Sequence, residues 1–286
     1  MRLAHARAIG MAGLIAMIAV TPVSLLAADD GCALAVKSRR AVVKIVDGDT
    51  LLLDDKSEAS LLGALAPAPP TGEVDWTGWP PALAARKALE ALAPPGTSID
   101  VAFEDRQTDR HGRLLAQLFI GEGPSRTWLQ GALVAAGHAR AYSLPRGSAC
   151  AGALLARETA ARQARRGLWA NAAYAVREAW RTKDLLRAVQ SYQIIEGEVA
   201  EVADRRRTVY INFGHVWRED FTVLVERRSR PLFDKAGIDL LKLKGLRVRV
   251  RGWIEDSGGP MIKATHPAQI EVLDDAPTSD PADARP

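Results

Sequence analysis

The sequence is poor in the side chains on which most catalytic motifs are built. It has two cysteines and five histidines among 286 residues. His138, His215 and His266 lie far apart, without the spacing of a metal-ligand set. No glycine-rich phosphate loop and no nucleophile elbow occurs, which excludes the usual nucleotide-hydrolase and serine-hydrolase signatures. No apolar run after the N-terminal segment is long enough to span a membrane. Charge is not extreme either. A net charge of +4, with 25% charged and 48% hydrophobic residues, is ordinary for a globular chain of about two domains. The slight basic excess favours a polyanionic partner only weakly.

What is present begins with "MRLAHARAIGMAGLIAMIAVTPVSLLAADD". Arg2 and Arg7 precede an apolar run from Ile9 to Val20, followed by Thr21, Pro22 and the small pair Ala27–Ala28. This layout predicts a cleaved secretory signal over residues 1–28 and a periplasmic or secreted mature chain. The alternative is a retained anchor, but Thr21 and Pro22 interrupt a run already near the minimum for spanning. Cys32 follows "DDG", which is not a lipoprotein signal. In an exported chain, Cys32 and Cys150 suggest one disulfide; the alternative is two buried or free thiols. A bridge closing so long a loop would contribute about 4–5 kcal/mol through unfolded-state entropy.

"RRAVVKIVDGDTLLLDD" reads as two β-segments joined at Asp47-Gly48, and "EASLLGALA" as a third strand. A Pro/Gly-rich loop leads to a helix opened by Pro80 and Pro81 and ending near Ala93. "TSIDVAFED" and "RLLAQLFI" read as two more strands. A second helix is expected from Ser125 to Gly137 and a third from about Ser148 to Arg166. Five short strands with a helix after the third predict a small closed barrel of the oligonucleotide-binding (OB) type. Residues 171–190 read as a helical connector. "QIIEGEVAEVA", "TVYINFG", "DFTVLVERR", "LRVRVRGWIED" and "IKATHPAQIEVL" then predict five further strands, with a short helix in "LFDKAGIDLLKLKG". The fold class is α+β, mainly β with helices: a first OB barrel over 38–170 and a second, smaller OB-like barrel over 191–274. Residues 275–286 are expected to be disordered.

Residues from about 40 to 170 resemble the staphylococcal nuclease (thermonuclease-like) family. Four stretches carry the resemblance in order: "VVKIVDGDT", "LLGALAP", "DRHGRLLA", and "WLQGALVAAGHARAY" with "ETAARQARRGLW". The resemblance implies an OB barrel with three helices and a Ca2+-dependent phosphodiesterase site; the residues by themselves fix no cofactor. Asp49 matches a metal ligand of that site. Arg113 matches one of two arginines that hold the phosphate. His111 stands where an aromatic tyrosine would lie against the nucleotide, and Tyr142 is near a second nucleotide-contacting tyrosine. Three positions depart from the pattern. Ser60 stands where the other arginine belongs, Leu65 replaces the second metal aspartate, and Ala68 replaces the glutamate that activates water. One fixed charge is worth about 10²–10³ in rate, and a general base about 10²–10⁴. Without them, little of that catalysis should remain. Asp54, Glu58, Glu73 and Asp75 are the carboxylates from which a relocated site would be built.

Each retained residue also has a plain structural reading. Asp47 is expected to stabilise its own turn, Asp49 to do the same or bind metal, and Arg113 to pair with Asp109 or bind an anion. In the second barrel, Arg247, Arg249 and Arg251 alternate with Val248 and Val250, which puts three guanidinium groups on one strand face. With Arg205, Arg206, Arg207, Tyr210, Trp217, Phe221 and Trp253 they are candidate nucleic-acid contacts, or else a solubilising face over core aromatics. The functional expectation is an exported, catalytically degenerate nuclease-like protein. Its expected partners are nucleic acid, another anionic polymer, or a protein of the cell envelope. The alternative is an active metal-dependent nuclease with relocated ligands.

Overall fold

A computed structural model describes residues 31–68 and 79–273, apart from 106, 124–125, 146, 148, 207 and 217–218. The expected signal segment, Glu73, Asp75, Ser125, Ser148, Arg207, Trp217 and the C-terminal tail lie outside the described residues. Among the described residues, no helix is long and apolar enough to cross a membrane.

The first half is built on β1 (Val36–Ile45), β2 (Thr50–Leu53), β3 (Glu58–Leu61) and the two-residue β4 (Ala64–Leu65). It continues through α1 (Pro80–Leu92), β5 (Ser98–Ala102), β6 (Leu114–Ile120), β7 (Thr127–Trp128), α2 (Leu129–Ala135), β8 (Arg140–Ala141) and α3 (Ala151–Gln163). Strand β1 serves two neighbours. Its first part pairs antiparallel with β5 and its second with β2, with irregularities in register at Val36/Ser38 and Val42/Lys44. Such irregularities bend a strand and increase its twist, and the bend lets the sheet close. β2 pairs antiparallel with β3, β3 parallel with β6, and β6 antiparallel with β5. The path therefore returns to β1. Leu51, Leu61, Ile99, Val101, Leu118 and Phe119 fill the interior. Helix α1 covers it with Ala82, Ala85 and Leu89.

The second half contains β9 (Arg177–Glu178), α4 (Thr182–Leu186), β10 (Tyr192–Glu198), β11 (Glu201–Arg205), β12 (Thr208–Asn212) and β13 (Thr222–Val225). These are followed by α5 (Arg230–Lys235), β14 (Arg247–Asp256), β15 (Pro260–Lys263) and β16 (Ile270–Val272). β10 runs on into β11 and, like β1, serves two neighbours: β14 on one side and β12 on the other. β12 pairs with β13, β13 runs parallel to β15, and β15 returns antiparallel to β14. This pairing repeats that of the first barrel, including its one parallel pair between the third and fifth strands.

Several expected elements differ in extent. The second helix starts at Leu129, because Thr127–Trp128 pair with Phe119–Ile120 and the Trp128 indole N–H donates to Gln117 Oε1 at 2.9 Å. "EASLLGALA" is two strands, broken by a turn at Gly63 with φ +95°. Residues 171–190 do not form one helix. The sheet captures Arg177–Glu178 as a parallel neighbour of Ile195–Glu196, and this tertiary pairing overrides alanine's helical preference. "IKATHPAQIEVL" is also two strands, since Pro267 opens a single helical turn between them. Cys32 and Cys150 form a disulfide with Cα atoms 4.9 Å apart, tying the segment before β1 to the start of α3.

Candidate functional site

The turn between β1 and β2 is held by its own aspartate. Asp47 Oδ1 accepts the backbone N–H of Asp49 at 2.9 Å, and Val46 N–H donates to Thr50 O at 2.9 Å. Gly48 is required by close approach, since a Cβ there would lie 2.7 Å from Ala66 Cβ and 2.8 Å from Ala85 Cβ. With the turn pressed against α1, the Asp49 carboxylate is directed across the barrel end. Its Oδ2 accepts Ala66 N–H at 2.7 Å and its Oδ1 accepts the Thr50 hydroxyl at 3.3 Å. Burial pushes the Asp49 carboxyl up to about 7, helped by the charge of Asp47 and opposed by the Ala66 N–H. Part of its surface still meets solvent.

Arg113 approaches from the loop before β6. Asp109 organises that loop: Oδ1 accepts the N–H groups of His111 (2.7 Å) and Arg113 (3.0 Å), and Oδ2 accepts Arg113 Nε–H at 2.7 Å. Gly112 supplies the left-handed residue, with φ +81°. The Arg113 side chain is 36% exposed. Among the described residues, Asp109 is the only group paired with its guanidinium, through Nε. The hydrogen bond it donates to Asp109 chiefly raises its pKa, and Asp49 and Asp47 contribute across the gap. Asp47, Asp49 and Arg113 thus form one electrostatic group at the barrel end. His111 is exposed on the same loop, where Arg110 Nε–H donates to its Nε2 at 3.1 Å. Tyr142 follows β8. Its N–H donates to Gly63 O, and its ring meets Tyr192 of the second barrel edge-on at 5.6 Å between centroids.

Residues 82–171 match the family model described as staphylococcal nuclease homologue. This chain contains a staphylococcal nuclease homologue domain. No curated protein matches the chain. The match covers His111, Arg113 and Tyr142 and begins after the turn carrying Asp49 and the strands carrying Ser60 and Leu65.

A Ca2+ ion requires six to eight oxygens with several carboxylates among them. Among the described residues, no three His, Cys, Asp or Glu side chains come together in a metal-binding group. Asp49 already accepts from Ala66 and Thr50, and Asp47 from the turn. Leu65 is an apolar residue of β4 paired with Arg140, and Ser60 is a strand residue of β3 beside Leu115. Asp54 and Glu58 are exposed.

The basic strand of the second barrel corrects the sequence expectation. Val248 and Val250 are buried as expected, but the arginines are held in ion pairs. Arg249 pairs with Glu196 at 2.7 Å and Glu271 at 3.3 Å, and Arg247 pairs with Glu196 at 3.3 Å. Arg251 is fully buried. Its Nη1 donates to Glu158 Oε2 at 2.6 Å, and its Nη2 meets Glu271. Arg249 and Arg251 are therefore interior ion-pair partners and no surface for nucleic acid. Sequence reasoning missed this because Glu158 lies on an alanine-rich helix whose periodicity marks it only as one more polar residue. It also missed Arg140, whose guanidinium donates to Tyr192 O and lies between the Tyr174 and Tyr192 rings.

Proposed function

We propose that this chain is an exported nuclease-fold protein that does not hydrolyse phosphodiesters and instead binds nucleic acid or another anionic polymer in the periplasm or outside the cell. Its two OB-like barrels, over 38–170 and 191–274, act as one interaction module. The observation that carries the reading is the state of Asp49. Its carboxylate caps the Ala66 backbone and is pushed towards neutrality, with Leu65 and Ala68 where further acids would be needed. Arg113 retains exposed guanidinium surface for a phosphate, a fit that a fixed fork of donors favours. The disulfide supports export, since such bonds persist in oxidising compartments. The alternative is a relocated metal site, favoured by the electrostatic grouping of Asp47, Asp49 and Arg113.

The test is incubation of the purified chain with labelled single-stranded DNA, duplex DNA and RNA, in Ca2+, Mg2+ or EDTA, beside Arg113→Ala. The expected result is no cleavage above background, with salt-sensitive retention weakened in the variant. Metal-dependent cleavage lost in Arg113→Ala would overturn the reading.

A further inference from the structure

The outer face of the second barrel gathers one aromatic and two apolar side chains, Tyr210, Leu224 and Met261, under a cleft. Val209, Ile211, Val223 and Val225 are buried in the core, so Tyr210, Asn212, Thr222 and Leu224 point outward by strand alternation. Register sets Ala203, Tyr210, Leu224 and Lys263 in one row across β11, β12, β13 and β15. Glu201, Asn212, Thr222 and Met261 form the next row. A cleft of about 580 Å³ opens over these rows, walled by Gly214, His215 and Asp220 on one loop and by Ser257 and Gly259 of the β14–β15 loop with Pro260 at the start of β15. A second hollow of about 620 Å³ shares Tyr210 and Leu224 and runs on to Arg227 and Arg228.

The charges around the cleft are not symmetrical. Arg205 and Arg227 are exposed and, among the described residues, have no acidic partner. Arg228 pairs with Glu226 at 2.8 Å. Away from this basic end, Asn212 lines the cleft and its Oδ1 accepts the Thr222 hydroxyl at 3.0 Å. Asp220 accepts Val216 N–H at 2.6 Å and so fixes the loop that carries His215.

We infer that this cleft binds a short stretch of single-stranded nucleic acid. A base stacks on Tyr210, with Leu224 and Met261 packing beside it. Arg205 and Arg227 hold the flanking phosphates, and Asn212 offers hydrogen bonds to a base edge. Aromatic platforms with cations along a groove are the physical requirements for binding unpaired strands. A duplex hides its base faces from Tyr210, and an anionic polymer without rings gives that side chain nothing to stack on. OB barrels offer ligands this same surface, the second and third strands with the loop after the fourth. The inference rests on nucleic acid being the polymer in the reading above, but not on Arg113.

Fluorescence anisotropy with fluorescein-labelled oligo(dT), oligo(rU) and a matched duplex tests it on the full chain. Thermal unfolding checks that each variant is folded. The chain is expected to prefer the single strands. Tyr210→Ala should weaken binding about 10- to 100-fold, while Tyr210→Phe, which keeps the ring, should bind nearly as the parent. Arg205→Ala with Arg227→Ala should flatten the plot of log affinity against log salt by about 1.4, for two lost phosphate contacts. Equal binding of duplex, or unchanged affinity in Tyr210→Ala, would overturn the inference. Loss in Arg113→Ala alone would do so too, while leaving the first-barrel reading intact. Loss in Tyr210→Ala alone would sustain the inference and remove strand binding from the first barrel.

Discussion

Glu158→Ala would test how firmly the two barrels are joined. Glu158, on α3, is fully buried. Its Oε1 accepts Ala141 N–H at 2.8 Å and its Oε2 accepts Arg251 Nη1–H at 2.6 Å. Burial works against the Arg251 charge, but Glu158, Tyr192 and Glu271 more than offset it and raise the pKa of the guanidinium. Removing the carboxylate would leave Arg251 with Glu271 alone and orphan the Ala141 N–H. Breaking a buried pair from one side costs about 3–5 kcal/mol, so a loss of that size is expected in urea unfolding. Because the pair spans the two barrels, tryptophan fluorescence and far-UV circular dichroism should no longer report one coincident transition. The double variant Glu158→Gln with Arg251→Met separates charge from packing. Glutamine can still accept from Ala141, and methionine occupies the space of the arginine stem. Since replacing both charges is often nearly neutral, the double variant should lie within about 2 kcal/mol of the parent. A cost below about 1 kcal/mol for Glu158→Ala, or a double variant as unstable as the single, would refute the reasoning.

Reducing the Cys32–Cys150 bridge, or Cys150→Ser, should lower stability by about 4–5 kcal/mol, since it opens a loop of sequence separation 118; calorimetry with and without reductant measures it. The Asp49 pKa is raised by folding from the usual 3.8 to about 7, so between these values the folded state binds more protons than the unfolded one. Its contribution to stability therefore falls as pH rises from about 4 to 7, and Asp49→Asn should remove that fall in urea titrations across the window. His266 has the opposite sign. Burial beside Ser143 lowers its pKa from 6.5 to about 4, so its contribution is complete above pH 6.5 and is lost as pH falls towards 4. His266→Gln should abolish that acid-side loss. The two slopes oppose each other in the parent, so Asp49→Asn should expose the His266 rise and give a steeper profile than the parent shows.

The first barrel was legible because its signals are local. An Asp-Gly turn after a β-branched run, prolines opening a helix and a glycine closing the second helix each act within a few residues, and the chain follows them. The turn role of Asp47 was legible for the same reason. The fate of the basic strand was not. Alternation correctly assigned Val248 and Val250 to one face and the arginines to the other, but it could not say what the arginine face meets. That face meets Glu158 and Glu196, which lie 93 and 53 positions from their arginine partners. Asp49 was ambiguous in sequence because a carboxylate that caps Ala66 and one that binds metal look alike until the Ala66 N–H is seen beside it.

The docking of the barrels also bears on where a ligand can go. The second barrel meets the first through β10, β14 and the segment around His266. Tyr192 hydrogen-bonds Ala141 O, Ser143 meets His266, and Arg251 meets Glu158. β8, which supplies Ala141, is paired with β4 and its Leu65. The interface therefore engages Arg140 and Tyr142, polar and aromatic residues of the segment paired with β4, and turns them towards Tyr192. The strands left over are β11, β12 and β13, which lie beyond β15 in the pairing path from that contact. Their outward row keeps Tyr210 and the basic rim clear of the first barrel. Since Arg249 and Arg251 are committed to internal ion pairs and Tyr210 faces outward, the strand binding inferred above is to be sought on β12 and β13.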